Sequence, residues 1–128
     1  MNNFVSLSDY KKSGSWGLLS AINLGGCDKA MLTDEKVFKK FVVELCKVIK
    51  MTRHGQLLID RFGEKKLYGY STFQFIKTSS ITCHYDDVCG KVFVDIFSCR
   101  YFNSKVAVNF CKKFFKAENV EVINILRK

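Results

Sequence analysis

Proline is absent from the chain, and the histidines number two and the tryptophans one. With no proline, turns must rest on Gly, Asn, Asp and Ser. His54 and His84 stand far apart, and the six cysteines at 27, 46, 83, 89, 99 and 111 contain no C-x-x-C pair. A zinc site needs several such ligands at close spacing, so no metal is expected. Disulfides would need an oxidising compartment, which nothing in the sequence indicates. The thiols of Cys83, Cys89 and Cys111 are therefore read as small buried hydrophobes.

Long apolar runs are missing too. The segment FVVELCKVI is interrupted by Glu44 and Lys47, well short of the roughly 20 apolar residues a bilayer demands. The opening MNNFVSLSDYKKSG lacks the basic-then-apolar order of a secretion signal. A cytoplasmic protein with no membrane partner is expected. Acidic residues are in the minority, 12 against 21 basic, for a net charge of +9. Such a balance permits a polyanion partner. The lysines, however, are scattered in pairs (Lys11-Lys12, Lys39-Lys40, Lys65-Lys66, Lys112-Lys113), and no nucleic-acid motif accompanies them. A solvated basic surface without a nucleic-acid partner is the expectation.

What is present suits a packed domain. The 128 residues are 48% hydrophobic, with 12 phenylalanines, enough for one core and one domain over 1–128. Residues 16–24 read as a strand closed by Gly25-Gly26. Thr33 caps a helix over 34–50 with Asp34 and Glu35 in its first turn, and its apolar stripe is Val37, Phe38, Phe41, Val42, Leu45, Val48 and Ile49. Strands follow at 56–62, 70–77, 80–85 and 91–98, with Phe73 and Phe75 on one face of the second of these. Ser104 or Asn103 caps a second helix to about 116, with Val106, Ala107, Phe110, Cys111 and Phe114 inward, and 120–126 closes the chain as a strand. The fold class is α+β: a two-layer sandwich, mostly antiparallel, with two helices on one sheet face. The other face stays bare and aromatic, and a homodimer packing sheet to sheet or edge to edge would cover it. Trp16 is placed in the core or at that interface, His54 in a solvated polar loop, and Asp95 mid-strand, where a buried carboxylate needs partners.

The chemistry concentrates in GYSTFQFIKTSSITCHYDDVCGKVFVDIFSC, residues 69–99. Ser71, Ser79, His84 and Cys99 follow one another at intervals of eight, five and fifteen. A serine, an imidazole and a thiol carried on adjacent strands can meet in one pocket.

That spacing, with Gly69 two residues before Ser71 and the run Val94-Asp95-Ile96-Phe97-Ser98-Cys99, resembles the short, prokaryotic class of S-adenosylmethionine decarboxylase. The likeness extends from about Trp16 to the last strand. It implies a proenzyme that cuts itself between Thr78 and Ser79, giving a beta chain 1–78 and an alpha chain 79–128. Ser79 would become a pyruvoyl group, the self-made cofactor that forms a Schiff base with the substrate amine and accepts electrons as carbon dioxide leaves. By matching position, His84 and Ser71 would assist processing, and Cys99 would return a proton to the substrate carbon. The implied substrate is S-adenosylmethionine, and the implied outlet is the aminopropyl donor of spermidine and polyamine synthesis. The resemblance also sets the site near a dimer interface.

Two departures bear on the substrate. Family members carry Glu-Ser-His at the cut, where this chain has Thr78-Ser79-Ser80. After the histidine they carry Trp-Pro-Glu, whose acid holds the substrate ribose; here Asp86, Asp87 and Val88 occupy the positions, so Asp86 or Asp87 is the candidate acid. Phe62 is the candidate for stacking on adenine. Two other readings stay open: a decarboxylase of another amino acid, arginine or ornithine, on the same scaffold, and an uncleaved homologue with a binding or regulatory role.

Overall fold

Alternation of buried and exposed residues decides which segments become strands. In a computed structural model of the chain, residues 3–128 are described. Six strands form one sheet: β1 (Gly17–Gly25), β2 (Arg53–Phe62), β3 (Gly69–Ile76), β4 (Ser79–Asp86), β5 (Lys91–Ser98) and β6 (Asn119–Arg127). Three α-helices accompany them: α1 (Leu7–Ser13), α2 (Glu35–Val48) and α3 (Ser104–Phe114). The strand order is β2-β3-β4-β5-β1-β6, and every neighbouring pair runs antiparallel. Alternating direction across that order makes β1 parallel to β2, and β5 parallel to β6. Parallel strands need long crossovers, and α2 and α3 are those crossovers.

The helices lie on one face of the sheet. α2 buries Phe38, Phe41, Val42, Leu45 and Cys46, and α3 buries Ala107, Val108 and Cys111. They pack on the inward set of the strands, among them Leu18, Ile22, Ile81, Tyr85, Val94 and Ile96. Phe38 stacks on Tyr85 with ring centres 3.9 Å apart, and Phe41 meets Phe115 at 4.6 Å. Such aromatic pairs add about 0.5–1.5 kcal/mol each beyond their buried area. Polar groups on this face find partners. Ser20 and Ser104 both donate to Asn124 Oδ1, at 2.5 and 2.6 Å. Gln74, fully buried, donates to the carbonyls of His54, Gly55 and Phe75. The first two belong to a register shift in β2 between His54 and Leu58, so Gln74 satisfies a bulge in which Gly55 takes φ 77.

The opposite face has no helix. Leu58, Phe62, Phe75, Phe93, Ile123 and Ile125 stand on it as exposed residues, and Trp16 stacks on Phe97 at 5.8 Å. Phe73 and Phe75 share it, with ring centres 4.7 Å apart.

Several expectations need correction. A third helix, α1, precedes the sheet; it fully buries no residue, its ends are capped by Ser6 Oγ accepting from Asp9 N and by Gly14 in the left-handed region, and Tyr10 docks it against Tyr101 with ring centres 5.7 Å apart. Asp34, rather than Thr33, caps α2, because Thr33 ends a preceding turn of 3-10 helix. Cys89 is exposed, since it sits in the β4–β5 turn. Asp95 is also exposed: it alternates onto the uncovered face with Phe93 and Phe97 and needs no buried partner. Val48 and Val106 face outward, and Trp16 is 62% exposed rather than in the core. His54 belongs to β2 rather than to a loop.

Candidate active site

The two-residue turn Lys77-Thr78 sets Ile76 opposite Ser79, and the ladder counted back from it sets Ser71 opposite His84. Their side chains meet: Ser71 Oγ lies 2.7 Å from His84 Nδ1. The pair lies on the open face of the sheet, where both residues alternate with buried neighbours. A hydroxyl in contact with an imidazole is an arrangement that can pass a proton. Beside it is a cleft of about 250 Å3 lined by Phe62, Lys66, Tyr68, Tyr70, Asp86 and Phe93, with Ser71 and His84 in its wall. A wider hollow of about 610 Å3 lies between α2 and α3, lined by Lys39, Lys40, Val43, Glu44, Lys47, Val48 and Phe110. It holds no histidine, serine or cysteine, so the smaller cleft is the one with the Ser71–His84 pair.

Thr78, Ser79 and Cys99 form a second group at the far end of β4. Five residue steps along β4 lead from Ser79 to His84, roughly 16 Å at the usual rise. Within one chain, Ser79 is therefore not brought to the Ser71–His84 pair. It is brought instead to the end of β5, where Ser79 pairs with Ser98. The Cys99 main-chain N–H donates to the Thr78 carbonyl oxygen at 2.8 Å. Cys99 itself is exposed, and its carbonyl lies 3.4 Å from the Tyr10 hydroxyl of α1.

The backbone at this turn is strained. Favoured two-residue hairpins take positive φ at the loop residues. Neither Lys77 nor Thr78 does; the positive φ falls on Ser79, at 153°. For a residue with a side chain such a conformation costs on the order of 1–3 kcal/mol.

Each candidate acid has one oxygen engaged, and among the described residues the buried Asp87 Oδ1 finds no partner. Asp86 Oδ1 accepts from the backbone N–H groups of Val88 and Cys89 at 3.1 and 3.0 Å, which ties the β4–β5 turn. Asp87 Oδ2 pairs with Arg61 Nη2 at 3.8 Å. The Arg61 guanidinium in turn lies over the rings of Tyr68 and Tyr70, at 4.7 and 4.9 Å. Phe62 lines the cleft and is 56% exposed. The sequence reading did not single out Arg61, Tyr68, Tyr70 or Lys66; Lys66 and Tyr68 lie in a loop with no periodic signal, and Arg61 and Tyr70 lie in strands that were recognised, β2 and β3, where nothing in the alternation marks a cleft.

The remaining thiols are set apart by burial. Cys83 is pushed up to about 12, despite hydrogen bonds with Tyr85 and Thr72 that pull the other way. Burial also raises Cys46 and Cys27, each to about 11, and lifts Cys111 well above its usual value. A thiol held protonated is a poor nucleophile, which leaves Cys99 and Cys89 as the accessible ones.

A sequence model of S-adenosylmethionine decarboxylase matches residues 19–128. The chain belongs to the S-adenosylmethionine decarboxylase family. The match takes in Ser71, Thr78, Ser79, His84 and Cys99 and leaves α1, with Tyr10, outside it. The fold is also similar to the crystal structure of the adenosylmethionine decarboxylase from Aquifex aeolicus VF5, with a TM-score of 0.74 at 17% identity over 88% of this chain and 91% of that one. No curated protein matches the sequence. Among the described residues, no helix is long and apolar enough to cross a membrane.

Proposed function

We propose that the chain is a self-processing, pyruvoyl-dependent decarboxylase acting on S-adenosylmethionine and supplying an aminopropyl donor for polyamine synthesis. The observation that carries this reading is the Thr78–Ser79 peptide. Its carbonyl is held by the Cys99 N–H, and its far side is a serine at φ 153°. A bound N–H is placed to stabilise the oxygen when the carbonyl is attacked, and breaking the peptide releases the strain.

The Ser79 hydroxyl adds to the Thr78 carbonyl carbon, the carbon–nitrogen bond breaks, and the hydroxyl proton passes to the freed nitrogen. Removal of the Ser79 Cα proton then expels the Thr78 carboxylate from Cβ and leaves dehydroalanine. Its imine form takes up water and loses ammonia to leave a ketone. A ketone at residue 79 would supply the electron sink needed for carbon dioxide to leave the substrate carbon. Cys99, exposed and directly after Ser98, holds the proton returned to that carbon. Ser71 and His84 handle the proton moved in the elimination.

The two groups lie apart in one chain, so the working unit is a homodimer. A second copy packed against the open face supplies the Ser71–His84 pair to its partner's Ser79. The exposed apolar residues of that face favour such a contact.

The mass of the purified, denatured protein tests this reading. Two fragments, 1–78 and 79–128, with the second lighter than its sequence by one ammonia, are expected. One intact chain would move the reading to a binding or regulatory role on the same fold. A second reading, a decarboxylase of another amino acid, is favoured by the tie of Asp86 Oδ1 to the β4–β5 turn and of Asp87 Oδ2 to Arg61, which leaves the second oxygens of the two carboxylates, Asp87 Oδ1 buried among them, as the acceptors for a ribose. Carbon dioxide release from S-adenosylmethionine, arginine and ornithine, compared side by side, separates the two.

A further inference from the structure

We propose that Ser98 is a positioning residue for the chain break, acting through the Thr78 side chain; the inference rests on the self-cleavage reading above. Ser98 is fully buried at the end of β5. Its oxygen accepts from the Arg100 main-chain N–H at 3.0 Å. That contact occupies an acceptor site, and the hydroxyl proton goes to Thr78 Oγ1, 2.8 Å away. The other acceptor within reach, Met51 Sδ at 3.9 Å, is longer and weaker. Thr78 Oγ1 then directs its own proton to Met51 Sδ at 3.4 Å.

Thr78 is thus pinned at two points by consecutive residues. Ser98 holds its side chain, and Cys99 N–H holds its carbonyl oxygen. These contacts fix the rotation of the carbonyl about the Thr78 backbone, and that rotation sets the angle from which a hydroxyl on Ser79 approaches. Attack on a carbonyl depends steeply on such alignment, and a misplacement near 1 Å can cost about a hundredfold. The Thr78 hydroxyl has a use here that a carboxylate would not fill in the same way, since it both accepts from Ser98 and donates to a thioether.

The test is the rate at which fragments appear in full-length chain made by cell-free translation, followed by intact mass. Ser98→Ala and Thr78→Val, which each remove one hydroxyl of the pair, are expected to slow cleavage roughly 10–100-fold. Thr78→Ser, which keeps the hydroxyl and loses the methyl, is expected to stay near the unsubstituted rate. The double variant is expected to be no slower than either single, as for groups acting as one unit. Melting temperatures measured in the uncleavable Ser79→Ala background report whether each variant folds. Should Ser98→Ala fail to fold, the contrast between Thr78→Val and Thr78→Ser decides alone. Cleavage of Ser98→Ala or Thr78→Val at the unsubstituted rate, Thr78→Ser as slow as Thr78→Val, or single effects that multiply would each overturn the proposal while leaving self-cleavage standing. An unsubstituted chain that stays whole overturns both.

Discussion

The two faces of one sheet have opposite characters. The helix-covered face is apolar for most of its area, and polar atoms at its centre are paired within the chain, as in the Ser20–Ser104–Asn124 cluster. The open face leaves Phe62, Phe75 and Phe93 exposed, and it carries the close Ser71–His84 contact. The covered face accounts for folding, and the open face is where the chain meets something else. Alternation along each strand sends neighbouring residues to these two destinations, so a single-residue shift in register would exchange them.

Breaking this division should give effects of graded size. Ser79→Ala is the extreme: no fragments are expected at any time, read by the mass of the denatured chain, while the fold and its melting temperature persist. On the covered face, Phe41→Ala empties a site walled by Phe110, Phe114 and Phe115 and should cost about 3–5 kcal/mol in denaturant unfolding. On the open face, Phe75→Ser should weaken self-association in sedimentation; an unchanged dimer would move the interface elsewhere.

Thiol chemistry sharpens the comparison. In the native protein, Cys89 and Cys99 should react with an alkylating reagent at neutral pH, and Cys27, Cys46, Cys83 and Cys111 only after unfolding. The same four thiols set an alkaline limit. Their folded values lie above the usual 9.0, so the unfolded chain releases protons first as pH rises. Their stabilising contribution is whole below pH 9 and is lost as pH climbs from there through the folded values, about 11 to 12 for Cys27, Cys46 and Cys83. A melting temperature that held steady from pH 9 to 11 would contradict their burial. The smallest effect belongs to Asp87→Asn, whose partly exposed pairing with Arg61 is worth no more than about 1 kcal/mol.

Much of the architecture was legible. The alternation in YSTFQFIK and KVFVDIFS placed β3 and β5 within a residue of their observed bounds, and the hairpin at Lys77-Thr78 determines that Ser71 faces His84. Other features were not. Helix α1 has no buried face to generate a period; only Ser6, Asp9 and Gly14 announce its ends. Cys89 and Asp95 were misplaced because composition says what a residue prefers, whereas the turn and the uncovered face decide what it gets. The separation of Ser79 from Ser71 and His84 follows from strand rise, yet spacing in the sequence suggested one pocket. Ser98 stood in plain view beside Cys99, but its partner Thr78 lies twenty residues away, and only the folded ladder joins them.

The strand order carries a further meaning for a chain severed at the hairpin. The piece ending at Thr78 would own β1, β2 and β3, and the piece starting at Ser79 would own β4, β5 and β6. In the sheet, β1 sits between β5 and β6, so the two pieces are interleaved rather than side by side. Neither can leave without tearing strand pairs on both flanks of β1. Cutting one peptide bond would therefore give a two-chain molecule that does not come apart while folded. Once unfolded, it would have to find its other half by collision, and its refolding would slow on dilution where that of the uncut chain would not.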